Sequence, residues 1–144
     1  MIPSDERVAR ALLETRTIAL VGASMKPARA SHSVGNYLAS VGYRVIPVNP
    51  WYVGEMLFGQ TVVGRLADIK EDVHLVDIFR NSAAILPVVT EAVATLKGLR
   101  IIWMQLDLRN TEARELAERQ GVTVIEDRCT AIEHRRLLVN PNSA

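Results

Sequence analysis

The chain has 144 residues, of which 49% are hydrophobic and 23% charged, and its formal net charge at pH 7 is +1. This composition is typical of a folded globular domain, and the near-neutral charge excludes the strong basic field by which proteins attract nucleic acid or anionic membranes. The single cysteine, Cys129, excludes an internal disulfide framework and indicates a reducing compartment.

Strand-like and helix-like patterns alternate along the chain. The strand-like runs are short, rich in β-branched residues and in several cases apolar almost throughout, as in parallel strands covered on both faces. In chain order, the predicted elements are helix 5–15, strand 17–22, helix 31–41, strand 43–49, a weaker strand 60–63, strand 73–79, helix 82–96, strand 99–105, helix 111–120, strand 122–127 and helix 131–138.

This alternation predicts a Rossmann-like, doubly wound α/β fold. We expect a parallel sheet of about five to six strands with helices on both faces, in a single domain 1–144 whose core is about 17–137. Pro87 falls inside helix 82–96, where it is expected to kink the helix or to mark a late start. The amino-terminal segment lacks a signal-peptide pattern and no apolar run is long enough for a membrane span, so we expect a cytosolic protein.

Segment 49–60, "NPWYVGEMLFGQ", interrupts the alternation and is predicted to be a loop. It carries three aromatic residues, Trp51, Tyr52 and Phe58. Two interpretations are open: the aromatic side chains pack down on the edge of the sheet, or they form an apolar wall for a ligand that lies across the strand ends.

The turn after the first strand has the features of a phosphate-binding turn. Gly22 allows a sharp turn, and the small residues Ala23 and Ser24 let the backbone approach an oxyanion. The positive end of the following helix favours a phosphate nearby, and Lys26 and Arg29 add two cations. Because ligands of parallel α/β sheets bind at the carboxyl ends of the strands, we predict phosphate contact here rather than a merely solvated loop.

The end of the second strand indicates which nucleotide is bound. NAD sites usually place an acidic residue there to hold the ribose hydroxyls, but this chain has Asn49 and Pro50. The absence of a carboxylate favours a more anionic nucleotide, such as NADP or coenzyme A. The lack of further glycines at fingerprint spacing weakens the dinucleotide interpretation, and no G-x-x-x-x-G-K-[ST] motif is present to form a P-loop.

Six motifs carry a resemblance to a known family: "VGASMKPARAS", "GYRVIPVNP", "LADI", "VDIFR", "IIWMQ" and "EDRCTAIEHRRL". In this order they resemble the small stand-alone CoA-binding proteins, which are similar to the N-terminal CoA-binding domain of the succinyl-CoA synthetase α subunit. The resemblance spans roughly 17–137. The contacts that it implies are Gly22, Ala23, Ser24, Lys26 and Arg29 for the diphosphate, Val48, Asn49 and Pro50 for the adenosine end, and Phe79 and Arg80 for the pantetheine arm.

The resemblance implies a fold and a ligand but not the synthetase reaction, because the phosphohistidine-bearing second domain has no counterpart in this sequence. We therefore expect a protein that binds CoA or acyl-CoA without a complete catalytic apparatus, alone or with a protein partner or as a weak homodimer. The alternatives are an NADP-binding module of oxidoreductase type and an enzyme that acts on CoA thioesters.

Four residues are candidates for chemistry outside the nucleotide site. Cys129 and His134 are candidates for a catalytic thiol–imidazole pair, and the neighbouring Arg128 would lower the pKa of the thiol. The alternative is a small buried cysteine at a strand–helix junction. Asp77 and Glu91 suggest acid–base work, although an aspartate near a strand end more often caps a loop or a helix. No metal site is expected, since the histidines are scattered and no C-x-x-C or H-E-x-x-H occurs.

Overall fold

The structure is a computed structural model and describes residues 4–140. Strands and helices alternate as the sequence predicts. In chain order the elements are α1 (Asp5–Glu14), β1 (Thr17–Val21), α2 (Ala30–Ser40), β2 (Arg44–Val48), β3 (Met56–Leu57), β4 (Gln60–Thr61), β5 (Leu75–Ile78), α3 (Ser82–Thr95), β6 (Ile101–Met104), α4 (Thr111–Arg119), β7 (Thr123–Ile125) and α5 (Thr130–His134).

Five of the strands form one parallel sheet in the order β2-β1-β5-β6-β7. The chain first winds outward from β1 to β2 and then crosses back to β5 on the other side of β1. The direction of winding therefore reverses between β1 and β5, which is the point where ligands of such sheets bind. The prediction of a doubly wound parallel sheet is confirmed.

Successive side chains of a strand point to opposite faces of the sheet. Here both sets are apolar, and helices cover both faces. On one face, Ile18 and Leu20 of β1 pack with Leu12 of α1 and Leu38 of α2. On the other face, Ala19 and Val21 pack with the buried side of α3 and α4. The strands are thus apolar on both sides, which explains their nearly uninterrupted hydrophobic sequences.

Three of the helices begin at a polar residue whose side chain closes the first turn. Ser4, Asn81 and Asn110 accept a hydrogen bond from the backbone N–H three residues further on, at 3.2, 3.1 and 2.8 Å. These caps satisfy donors that have no partner inside the helix. They fix where α1, α3 and α4 start.

The structure differs from the predicted elements in three places. Helix α3 already begins at Ser82 and runs through Pro87, so the proline does not mark a late start. The weak strand predicted at 60–63 is not a sixth strand of the main sheet, since β4 pairs with β3 in a separate hairpin. The terminal helix is shorter than predicted, because the π-helical turn Arg135–Val139 follows α5.

The aromatic residues of segment 49–60 have different environments. Phe58 is buried and packs on α2 where Gly35 leaves room: a Cβ at position 35 would lie 2.1 Å from Phe58 Cζ. Trp51, in the 3-10 turn Pro50–Tyr52, is 87% exposed. Phe58 therefore anchors the segment on α2, whereas Trp51 stands exposed beside the end of β2, and a ligand wall at Trp51 stays a prediction.

In the described part of the chain, every helix is too short or too polar to span a bilayer.

Candidate functional site

The turn after β1 is built around Gly22. Its φ angle is +89°, and a Cβ at this position would lie 2.4 Å from the carbonyl oxygen of Phe79. Only glycine fits both the backbone angle and this close approach. The turn therefore rests directly on the residue that follows β5, and the ends of β1 and β5 meet at one point.

The backbone donors of this turn are partly occupied. The N–H groups of Gly22 and Ala23 both donate to the carbonyl of Val48, at 3.0 and 3.4 Å. The N–H groups of Ala30 and Ser31, at the start of α2, are among the donors that a helix cannot satisfy internally. A phosphate at this turn would thus be held from the start of α2, while Gly22 and Ala23 shape the turn.

Three cations surround the same opening. Lys26, Arg29 and Arg80 line one cleft of ≈ 390 Å³ together with the start of α2. Within residues 4–140, none of the three forms an ion pair with a carboxylate. The cleft thus combines positive charge with free backbone donors, which is the arrangement that binds phosphate. We refer to it as the first cleft.

Asn49 ties the second strand to the turn. Its Nδ2 donates to the carbonyl of Ala23 at 2.8 Å, and its Oδ1 accepts from the N–H of Trp51 at 2.9 Å. An aspartate could not make the first of these bonds, since an ionised carboxylate has no donor. The hydrogen bonds of Asn49 therefore give a structural reason for an amide rather than an acid at the end of β2.

A second cleft, of ≈ 330 Å³, lies on the other side of Asn49. It extends from the end of β2 to α3, and its walls are largely apolar, with Val21, Val48, Leu66 and Val88. Fewer polar residues line this cleft. Two of its charged residues, Arg65 and Glu91, do not line the first cleft. The two clefts share Gly22, Asn49, Trp51 and Arg80.

Nine of the ten residues predicted from the sequence line one or both clefts. In the first cleft these are Gly22, Ser24, Lys26, Arg29, Asn49, Phe79 and Arg80, and in the second Gly22, Val48, Asn49, Pro50 and Arg80. Ala23 lies beneath the turn and is fully buried.

Sequence reasoning missed Arg65 and Leu66. They enter the second cleft because Val63 pairs with Val48 alongside β2. The local sequence carries no signal for this pairing beyond the weak strand pattern at 60–63.

Asp77 lies away from both clefts, inside the sheet. It is fully buried, and its carboxylate accepts hydrogen bonds from Gln105 Nε2 at 2.6 Å and from Thr130 Oγ1 at 2.8 Å. Burial raises the pKa of Asp77 to about 7, against the opposing effect of these hydrogen bonds. Asp77 therefore caps neither a loop nor α3, which is capped by Asn81, and it joins β5 to β6 and the start of α5.

Cys129 and His134 do not form a catalytic pair. His134 Nδ1 lies 2.8 Å from the hydroxyl of Tyr37 on α2, and Cys129 is buried where α5 begins. Burial raises the pKa of the Cys129 thiol, so the expectation that Arg128 lowers it is wrong. Arg128 instead pairs with Glu133 at 3.4 Å. The interpretation of Cys129 as a small buried residue at a strand–helix junction is confirmed.

Residues 4–140 contain no group of three or more His, Cys, Asp or Glu side chains placed to hold a metal ion.

Comparison with known proteins identifies a family. The family model described as "CoA binding domain" matches residues 16–135. A Bacillus subtilis (strain 168) protein, "Uncharacterized protein YneT", is 35% identical over 132 residues, which is 92% of this chain and 95% of the relative.

Two solved structures are similar over nearly the whole length. A Thermus thermophilus protein, cell-free ID.343, superposes with a TM-score of 0.88 at 38% identity and covers 94% of this chain and 100% of its own. A hypothetical protein from Pyrococcus horikoshii OT3 superposes with a TM-score of 0.87 at 36% identity, over 94% of this chain and 93% of its own.

Proposed function

The chain belongs to the family of CoA binding domains, and on that premise we propose that it binds coenzyme A across the carboxyl ends of β1, β2 and β5. The observation that carries the proposal is the first cleft, where three cations that pair with no carboxylate among residues 4–140 meet the N–H groups at the start of α2. The diphosphate of CoA occupies this cleft. Arg29 and Arg80 can each grip an oxyanion through two parallel N–H bonds, and Lys26 contributes a point charge.

The adenosine end of CoA lies against Val48, Asn49 and Pro50. Because residue 49 is an asparagine, the end of β2 presents no carboxylate to a phosphorylated ribose. Both polar groups of the Asn49 side chain bond to the backbone. Arg80 lines both clefts and is placed between the diphosphate and the adenosine. The pantetheine arm leaves past Phe79 and Arg80.

The proposal is one of binding and includes no reaction by this chain alone. The two groups that most suggested catalysis, Asp77 and Cys129, line neither cleft. Both are buried, and burial raises the pKa of each. An enzyme acting on CoA thioesters would need a nucleophile or a base that reaches the ligand.

Calorimetric titration with CoA, dephospho-CoA, NADP and NAD tests the proposal. We expect CoA to bind most tightly and to raise the melting temperature by linkage. Arg29→Ala is expected to weaken CoA binding about tenfold or more, since a hydrogen bond to a charged group contributes about 1.5–3 kcal/mol. A weaker affinity for dephospho-CoA would show direct recognition of the 3′-phosphate.

Arg16→Ala is the matched control. Arg16 is an exposed arginine at the amino end of β1, on the edge of the sheet opposite the clefts, and its removal should leave CoA binding unchanged. A preference for NADP over CoA would contradict the choice of ligand. Equal CoA affinity of Arg29→Ala and the wild type would contradict the placement of the diphosphate.

A further inference from the structure

We propose that the second cleft receives the purine base of the ligand and that Glu91 selects a 6-amino purine over a 6-oxo purine. This inference rests on the proposed binding of CoA and names the residue that recognises its base. The sequence indicates Glu91 only as a candidate for acid–base work, and its position at the cleft is set by the fold.

The walls of the second cleft suit a flat heterocycle. Val21, Val48 and Leu66 are at most 5% exposed and line it from the sheet and from the 3-10 turn Leu66–Asp68. Val88 of α3 closes the other side. A purine placed between these side chains would have the apolar surface of both its faces removed from water, which is favourable.

Glu91 supplies the polar contact at the α3 side. Its Oε2 accepts a hydrogen bond from the N–H of Ala67 at 3.2 Å, which holds the carboxylate against the 3-10 turn. No hydrogen bond or ion pair from the rest of residues 4–140 reaches its other oxygen, and Glu91 is the one carboxylate among the described residues lining this cleft. The cleft therefore offers a hydrogen-bond acceptor at a position that the protein itself leaves open.

An ionised carboxylate accepts hydrogen bonds and donates none. The 6-amino group of adenine is a donor and completes this bond. The 6-oxo group of hypoxanthine or guanine is an acceptor, so its lone pairs would face those of the carboxylate and both groups would lose their hydrogen bonds to water. The chemistry of Glu91 thus favours adenine.

The two clefts adjoin each other, which is why the base belongs here. Asn49, Trp51 and Arg80 line both of them, so a ligand whose diphosphate lies in the first cleft can place its base in the second. Arg65 stands at the same cleft and is 3.9 Å from Asp68. Arg80 lines both clefts, whereas Arg65 and Glu91 line the second cleft alone.

The experiment compares adenosine 3′,5′-bisphosphate with inosine 3′,5′-bisphosphate, which differ at position 6 of the base. We expect the wild type to bind the adenosine compound about tenfold more tightly or better in calorimetry, the discrimination that loss of a buried hydrogen-bond partner produces. Glu91→Gln can keep the bond from Ala67 with its amide oxygen and turn its NH2 group toward the base. Its preference is expected to disappear or to reverse in favour of inosine.

Glu115→Gln, at an exposed position on α4, is the matched control and should retain the wild-type preference. A purely structural role of Glu91 would lower both affinities by the same factor, and that result would overturn the inference. So would a wild type that binds both nucleotides equally, a measurement that needs no variant. If CoA itself fails to bind, the proposed function falls and the inference with it, whereas CoA binding without base discrimination overturns the inference alone.

Discussion

Gly22 shows how one residue joins three strand ends. Its N–H donates to Val48 at the end of β2, while its Cα lies so close to Phe79, after β5, that a side chain would collide with the Phe79 carbonyl. A sharp turn at this glycine is predictable from the sequence. The contact with Phe79 is not, because the two residues are far apart in the chain and meet only when β1 and β5 pair.

Gly22→Ala is expected to lower the free energy of unfolding by about 2–5 kcal/mol, the sum of a left-handed backbone penalty and an overpacked contact. Gly121→Ala is the control, since its φ of +79° is similar but nothing lies within 4 Å of the added Cβ. It should cost only the backbone penalty of about 1–2 kcal/mol. Urea denaturation measures both, and equal losses in the two variants would show that the contact with Phe79 carries no energy.

The strand position of Asp77 can be predicted from the sequence, but its hydrogen-bond partners cannot. These partners are Gln105, which follows β6, and Thr130, which begins α5. Burial raises its pKa to about 7, whereas an aspartate in the unfolded chain has a pKa near 4. Between about pH 4 and pH 7 the unfolded state has released a proton that the folded state keeps, so the contribution of Asp77 to stability falls as the pH rises through this window.

Asp77→Asn removes this titration, and we expect the variant to gain stability relative to the wild type as the pH is raised from about 4 to 8. Asp127→Asn should show the opposite slope, and it should do so below about pH 4. The pKa of Asp127 is lowered by the N–H of Asp107 and by Arg109, so its stabilising contribution is present above about pH 4 and is lost as the pH falls further. Urea melts at a series of pH values measure both; a pH-independent difference between the wild type and Asp77→Asn would contradict the shifted pKa.

At the scale of elements, α3 is the helix that contains a proline in its interior. A proline inside a helix removes one backbone hydrogen bond and crowds the carbonyl four residues earlier. Yet α3 continues from Ser82 to Thr95 around an exposed Pro87. The packing of Ile85, Val89 and Ala92 against the sheet holds the helix together across the proline, an effect of tertiary structure that overrides local propensity.

Pro87→Ala is expected to raise the free energy of unfolding by about 2 kcal/mol, because alanine restores the missing bond while the unfolded chain gains some entropy. Thr90→Ala, also at an exposed position of α3, measures the gain from helix propensity alone and should amount to a few tenths of a kcal/mol, up to about 0.7. Denaturant titration compares them. A Pro87→Ala variant that is less stable than the wild type would mean that the proline ring makes favourable contacts of its own.

Segment 49–63 is the element that shapes the site most. The sequence predicts a loop with aromatic residues, and the structure forms this loop into a 3-10 turn and the hairpin of β3 and β4. Phe58 anchors it on α2, which leaves Trp51 free beside the clefts. A pattern of aromatic residues cannot show which of them will be the anchor, because this depends on Gly35 of another element.

The whole molecule has a formal net charge of only +1, yet Lys26, Arg29 and Arg80 gather at one edge of the sheet. Their convergence follows from the strand order, which reverses between β1 and β5 and brings the loops after both strands together. The same reversal opens a cleft on each side of Asn49. Under the proposed function, this local concentration of charge, rather than the overall charge, holds the phosphorylated ligand.

The sequence by itself determined the alternation of strands and helices, the glycine turn and its cations, and the family resemblance. These depend on residues that are neighbours in the chain, so periodicity and composition reveal them. Only the tertiary structure decided that Asn49 links the ends of β1 and β2, that Arg65 and Glu91 face the second cleft, and that Asp77 and Cys129 are sealed away from both clefts. These relations join distant segments, and they exist only once the strand order and the packing on each face of the sheet are established.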